Sequence, residues 1–179
     1  MNIDTAISFA ALAHMGQKRK YDKLPYILHP IEVMSILTSR GIADEEMWIA
    51  AVLHDVVEDT PVRLARIRER FGDRVASLVD GLTDEFTKEM HPNLNRAERK
   101  GRERARQAKQ SAEVQTIKYA DIISNTRSIV RHDKDFARVY LDEMSKLLDV
   151  MTHGDAVLYT QALLGVQKGQ EKLVQCALI

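Results

Sequence analysis

A single cysteine, Cys176, stands in 179 residues, so the chain cannot close an internal disulfide, and its apolar neighbours near the C-terminus mark it as a packing residue. Aromatic residues make up only 6%, and just 8 glycines and 4 prolines punctuate the sequence. Sustained alternation of apolar and polar residues is missing as well, which removes the signature of strands and of the sandwiches and barrels they build. No apolar run approaches the roughly 20 residues of a membrane span. The start, Met1-Asn2-Ile3-Asp4, lacks the basic-then-apolar order of an export signal. Together these absences predict an unexported, cytoplasmic protein without a membrane partner. Net charge is missing too: 26 Lys plus Arg meet 26 Asp plus Glu, so no global field draws in nucleic acid.

What is present is helical spacing. With 45% hydrophobic and 29% charged residues, the chain suits one globular domain over residues 1–179, all-α, with about eight to ten helices. Ile3, Ala6, Ile7, Ala10, Ala11 and His14 mark a first helix that Gly16 stops. Gln17 to Leu28 reads as a loop, and His29-Pro30 opens a second helix that Gly41 ends, with proline in the first turn where its missing N–H costs nothing. Asp44 caps a third helix running into His54-Asp55, and Thr60-Pro61 ends it. Helices over 62–70 and 74–81 hinge at Phe71-Gly72. Thr83 to Leu94 is a loop, Asn95 caps a charged helix to about Ala108, and helices follow at roughly 112–131, 135–152 and 155–176. Trp48 and the methionines read as core.

Against that background, Leu53-His54-Asp55-Val56-Val57-Glu58-Asp59-Thr60 concentrates four ionisable side chains in an apolar run. Unpaired buried charge costs several kcal/mol, so these groups must be paired, hold a cation, or face a wet cleft. Neighbours on a helix diverge by about 100°, yet His54 and Asp55 can flank one ion at a helix end. His29, at a helix start, is the upstream candidate to join them. Downstream, Lys118, Asp121, Asn125 and Ser128 share one polar helix face while Ile117, Ala120, Ile122 and Ile129 serve the core. Two imidazoles and two carboxylates suit manganese, iron or zinc better than calcium. Glu58 and Asp59 lie one turn beyond His54 and Asp55, where carboxylates beside a cation can orient a water nucleophile. A His-Asp pair alone reads as an ion pair; joined by Glu58, Asp59, His29 and Asp121 it reads as a site.

A local charge surplus hides in the neutral total. Between Lys88 and Lys109, eight basic residues face three acidic ones. From this segment Arg96, Arg99 and Lys100 are candidates to receive phosphate, because guanidinium forks bond phosphate oxygens in pairs; a solvated helix face is the plainer alternative. His14 reads as a hydrogen-bonded structural histidine.

In chain order, Ala13-His14-Met15-Gly16-Gln17-Lys18-Arg19-Lys20 with Pro25-Tyr26-Ile27-Leu28-His29-Pro30, then Leu53 to Thr60, Val79-Asp80-Gly81-Leu82-Thr83, and Ile117-Lys118-Tyr119-Ala120-Asp121 with Asn125 and Arg127 resemble the motifs of the HD superfamily of metal-dependent phosphohydrolases. The likeness extends to its SpoT-like alarmone hydrolase branch and covers about residues 6 to 130. It implies Mn²⁺ held by His29, His54, Asp55 and Asp121, and hydrolysis carried by Glu58 and Asp59. It also implies guanine nucleotide contacts from Arg19, Lys20 and Asn125, with Tyr140 packing on the substrate. The sequence departs from the family where Tyr21-Asp22-Lys23-Leu24 replaces a glycine-containing loop, and where Tyr119 and Ile122-Ile123-Ser124 replace family residues.

The expected function is Mn²⁺-dependent hydrolysis of (p)ppGpp to GDP or GTP plus pyrophosphate by a stand-alone hydrolase, monomeric or homodimeric, lowering the alarmone level. An adenosine alarmone or NADPH is the alternative substrate. A non-catalytic nucleotide- or nucleic-acid-binding module is the third reading, although a pure binder has no need of His29, His54, Asp55, Glu58, Asp59 and Asp121 together.

Overall fold

The structure, a computed structural model, describes residues 2–177 and the side chains of 2–175, so Cys176 lies outside the described side chains. Among the described residues the chain is all-α, with nine helices and one isolated backbone bridge, Lys18 to Pro25. No described helix is long and apolar enough to cross a membrane. Two compact units divide it, residues 1–83 and 84–179.

The first unit holds α1 (Ile3–Ala13), α2 (Leu28–Ser39), α3 (Glu45–Leu53), α4 (Val56–Asp59) and α5 (Leu64–Leu82). Helix α3 is apolar on every side from Ile49 to Leu53, and a helix of that kind is stable only when surrounded. It is: α1, α2 and α5 pack on it, and all five residues are buried. Its start is fixed twice over. The Asp44 carboxylate accepts from the Glu46 and Met47 amides at 3.1 and 3.2 Å, and Arg74 of α5 forks onto Asp44 and Glu46 at 2.5 and 2.6 Å. Gly72 breaks α5 with φ 85°, a left-handed value that a side chain would strain, so the expected hinge lies where the sequence put it.

The second unit holds α6 (Arg96–Gln107), α7 (Ala112–His132), α8 (Lys134–Leu148) and α9 (Ala156–Ala177). Helices α7, α8 and α9 pack on one another and α6 rests on α8. Asn95 starts α6 with a reciprocal capping box with Glu98. Glu103 of α6 is buried, and its carboxylate accepts from the amides of Glu85 and Phe86 and from Arg106 and Gln107. Four donors offset the cost of burying that charge and tie residues 85 and 86 to the helix. On α7, Gln115, Thr116 and Tyr119 bond the backbone of His153, Asp155 and Met151 respectively. A side chain at Gly154 would meet Tyr119 Cε2 at 2.5 Å, so only glycine fits this approach.

Two sequence expectations need correction. Met47 and Met151 are core, but Met15 and Met90 are 78% and 68% exposed, because each sits in a turn rather than on a helix face. The third helix does not continue through His54-Asp55; α3 ends at Leu53 and the pair occupies a turn before α4.

Candidate active site

That turn is where the chemistry gathers. His54 curls back over its own helix end, and its Nδ1 lies 2.8 Å from the carbonyl of Ala51. A carbonyl can only accept, so Nδ1 carries the proton and Nε2 keeps its lone pair when the ring is neutral. Asp55 immediately precedes α4, a single turn closed by the Asp59 amide donating to the Asp55 carbonyl at 2.9 Å. Thr60 closes the turn by donating its hydroxyl to Val56 O at 2.6 Å. His29 arrives from the first turn of α2, its amide donating to Tyr26 O at 2.9 Å.

Asp55 Oδ2 lies 3.0 Å from His54 Nε2 and 3.7 Å from His29 Nε2. The three possible ligand atoms all fall within 4.8 Å of one another, and both histidines are buried. Donors bound to one ion at about 2.0–2.2 Å stand roughly 3–3.5 Å apart, so this spacing fits a shared cation. The tautomer argues the same way. A neutral His54 presents its Nε2 lone pair to the carboxylate oxygen, an arrangement that needs a proton or a cation between the two. Two imidazoles and a carboxylate suit a borderline divalent ion.

Glu58 and Asp59 follow one turn on, both exposed as whole residues. The Asp59 carboxyl is nonetheless held above the usual carboxylate range, chiefly by loss of water around it and next by the charge of Asp55; a hydrogen bond from Tyr26 and the nearby His14 and His54 oppose this. A carboxylate of raised pKa beside a cation-binding cluster is suited to accept a proton from water.

Sequence reasoning passed over two residues here. The Tyr26 hydroxyl donates to Asp55 Oδ2 at 2.7 Å. Gln17 donates from Nε2 to the Asp59 carbonyl at 2.9 Å while its Oε1 meets His14 Nδ1 at 2.8 Å, which gives His14 the structural bond expected of it. The signal available was the spacing of Tyr26 and His29, three residues apart on the way into α2. Gln17 and Tyr26 also close the opening loop: Tyr26 N–H donates to Gln17 O at 3.1 Å and Arg19 N–H to Leu24 O at 2.8 Å. Arg19 and Lys20 lie inside that loop. Arg19 pairs with Asp22 at 3.3 Å and Glu32 at 3.7 Å, and Lys20 is exposed beside the Tyr21 ring.

The second unit has a cavity of about 270 Å³ lined by Arg96, Lys100, Lys118, Asp121, Asn125 and Tyr140 among others. Asp121 is buried; Lys118 Nζ lies 3.1 Å from one of its oxygens, and Asn125 donates to the other at 2.6 Å. Burial works to raise the pKa of Asp84, but Lys118 and Lys100 outweigh it and hold the carboxyl below its ordinary value, with Lys100 Nζ at 2.8 Å. Burial pushes the Tyr140 phenol well up, and the charge of Asp121 adds to this, so it stays protonated. Arg96 forks onto Glu143 at 2.6 and 2.9 Å, while Arg99 donates to the Leu94 carbonyl and is not part of the cavity wall.

A model of the HD domain matches residues 6–148. The chain is 49% identical over 81 residues to a guanosine-3′,5′-bis(diphosphate) 3′-pyrophosphohydrolase of Aquifex aeolicus, covering 45% of this chain and 11% of that one. It is 41% identical over 129 residues to the mouse enzyme of the same name called MESH1, covering 70% of this chain and 68% of that one. A solved structure, described as a metazoan ortholog of SpoT that hydrolyzes ppGpp, matches with TM-score 0.82 and 30% identity over 93% of this chain and 94% of its own.

Proposed function

The chain belongs to the HD domain family, and from that membership we propose that it is a Mn²⁺-dependent pyrophosphohydrolase acting on (p)ppGpp. Water adds to the phosphorus attached to O3′, the P–O3′ bond breaks, and O3′ takes up a proton, giving GDP or GTP and pyrophosphate. The observation that carries this reading is the convergence of His29, His54 and Asp55 one helical turn from Asp59, whose pKa is raised. The names of the similar enzymes supply the substrate class.

In this reading His29, His54, Asp55 and Asp121 hold the cation, which when bound supplies Lewis acidity toward phosphate and acidifies water. Asp59 and Glu58 orient the water and accept its proton. Arg19 and Lys20 engage the guanine nucleotide, Asn125 the nucleoside, and Tyr140 offers a protonated hydroxyl and a ring face. Arg96 and Lys100, which line the cavity of the second unit, meet the charge of the 3′-diphosphate. Residues 1–179 act as one catalytic domain, a reading supported by a family match that runs through both units. The protein works in the cytoplasm, as a monomer or homodimer.

The test is to incubate metal-stripped protein with a panel of nucleotides, with and without Mn²⁺, and to identify the products by phosphorus NMR. Pyrophosphate and GDP should appear from ppGpp only when Mn²⁺ is added. Absence of metal-dependent pyrophosphate release from every 3′-diphosphorylated nucleotide sinks the proposal.

A further inference from the structure

We propose that Tyr26 is a positioning residue for the cation site, fixing through its hydroxyl the Asp55 oxygen that faces both imidazoles. This rests on the metal-dependent reading above and adds to it a residue outside the ligand set.

The hydroxyl of Tyr26 donates at 2.7 Å to Asp55 Oδ2, the same atom that stands 3.0 Å from His54 Nε2 and 3.7 Å from His29 Nε2. An aspartate has broad freedom about χ2, so an undirected carboxylate can turn either oxygen, or neither, toward its neighbours. A single strong donor removes that freedom. Tyr26 is itself well held. Its ring stacks at a tilt on His14, with centroids 4.8 Å apart, and meets His29 edge-on at 6.0 Å. Its amide donates to Gln17 O at 3.1 Å, and its carbonyl accepts from the His29 amide at 2.9 Å. The hydroxyl is therefore aimed by ring packing and backbone bonds that do not depend on Asp55.

A second contact shows why such a fastener is needed. Helix α4 has four residues, too few to be stable by itself. Gln17 holds the carbonyl of Asp59 at its far end at 2.9 Å, while Tyr26 holds Asp55 at its near end. Gln17 and Tyr26 are bonded to each other through the backbone, so the two ends of α4 are set against one rigid bracket. Outer-shell donors of this kind change metal affinity about 10–100-fold when removed.

The experiment titrates Mn²⁺ into metal-stripped wild type and Tyr26→Phe, following the free ion by electron paramagnetic resonance and measuring turnover separately. Phenylalanine keeps the ring and its packing, so the metal-free variant should melt with the wild type. The expected result is a Kd for Mn²⁺ raised about 10-fold or more. A Kd within about twofold of wild type overturns the inference. Wild type that takes up no Mn²⁺ overturns the functional reading as well, which separates the two failures.

Discussion

His54 donates from Nδ1 to the carbonyl of Ala51, 2.8 Å away and one turn back on its own helix, and so turns Nε2 toward Asp55. The helix end itself selects the tautomer that a metal ligand requires. The consequence is spectroscopic. In ¹H–¹⁵N NMR of the zinc-substituted protein, the His54 Nδ1 proton should persist while the Nε2 resonance moves on metal loading. A metal-induced shift at Nδ1 instead would refute this assignment.

Asp55 and Glu58 are expected to fail differently. Asp55→Ala should lose bound metal and turnover together. Glu58→Ala and Asp59→Asn should keep stoichiometric Mn²⁺ while kcat falls about 10²–10⁴-fold, the range ascribed to general acid–base groups. Metal analysis of the purified variants beside their kinetics checks this, and equal metal loss in all three contradicts the division of labour.

The basic helix α6 should divide by residue. Lys100 lines the cavity and Arg99 does not, being turned to the Leu94 carbonyl. Lys100→Ala should raise KM for the tetraphosphate about 10-fold or more, as expected for losing a hydrogen bond to a charged group. Arg99→Ala should change KM less than about twofold on the same footing. Equal effects from the two would point to a diffuse field rather than a defined contact.

Asp44 links stability to pH. The hydrogen bond from Arg74 holds its carboxyl below the ordinary 3.8, while partial burial acts the other way. A depressed folded pKa gives stability that is fully present above the ordinary value and is lost as pH falls through the lower, folded one. Asp44→Ala should therefore cost about 1 kcal/mol near neutrality through the lost cap, and its stability should decline less steeply than wild type below about pH 4. Urea unfolding at pH 7 and pH 3 measures both.

Lys23 sits at φ 61°, a left-handed position in the opening loop. That conformation costs an ordinary residue about 1–2 kcal/mol, and glycine returns roughly 0.5–1 kcal/mol of this as chain entropy. Lys23→Gly should be neutral to slightly stabilising, and Lys23→Val should lower the melting temperature.

Local signals were legible in sequence and remote ones were not. Asp44 and Asn95 announced helix starts, Gly72 a hinge, and the apolar stretch Ile49 to Leu53 a buried helix, because each acts on its own few residues. His54 and Asp55 stood out through the cost of placing charge in that stretch. The bond from Tyr26 to Asp55 spans 29 positions and the one from Gln17 to the Asp59 carbonyl spans 42, so no spacing rule reaches either. The partner of Arg96, Glu143 on α8, lies 47 positions away and is likewise beyond any spacing rule. Met15 and Met90 were misplaced because residue type alone does not distinguish a turn from a helix face.

The closure of the opening loop carries an evolutionary consequence. Backbone bonds join Gln17 to Tyr26 and Arg19 to Leu24, so whatever lies between, from Lys20 to Lys23, is an outpost whose length and composition can drift without disturbing the residues behind it. Under the function proposed above, selection can revise which nucleotide the tip favours while the proposed hydrolytic machinery is inherited intact, and new specificities become reachable through single, individually viable steps.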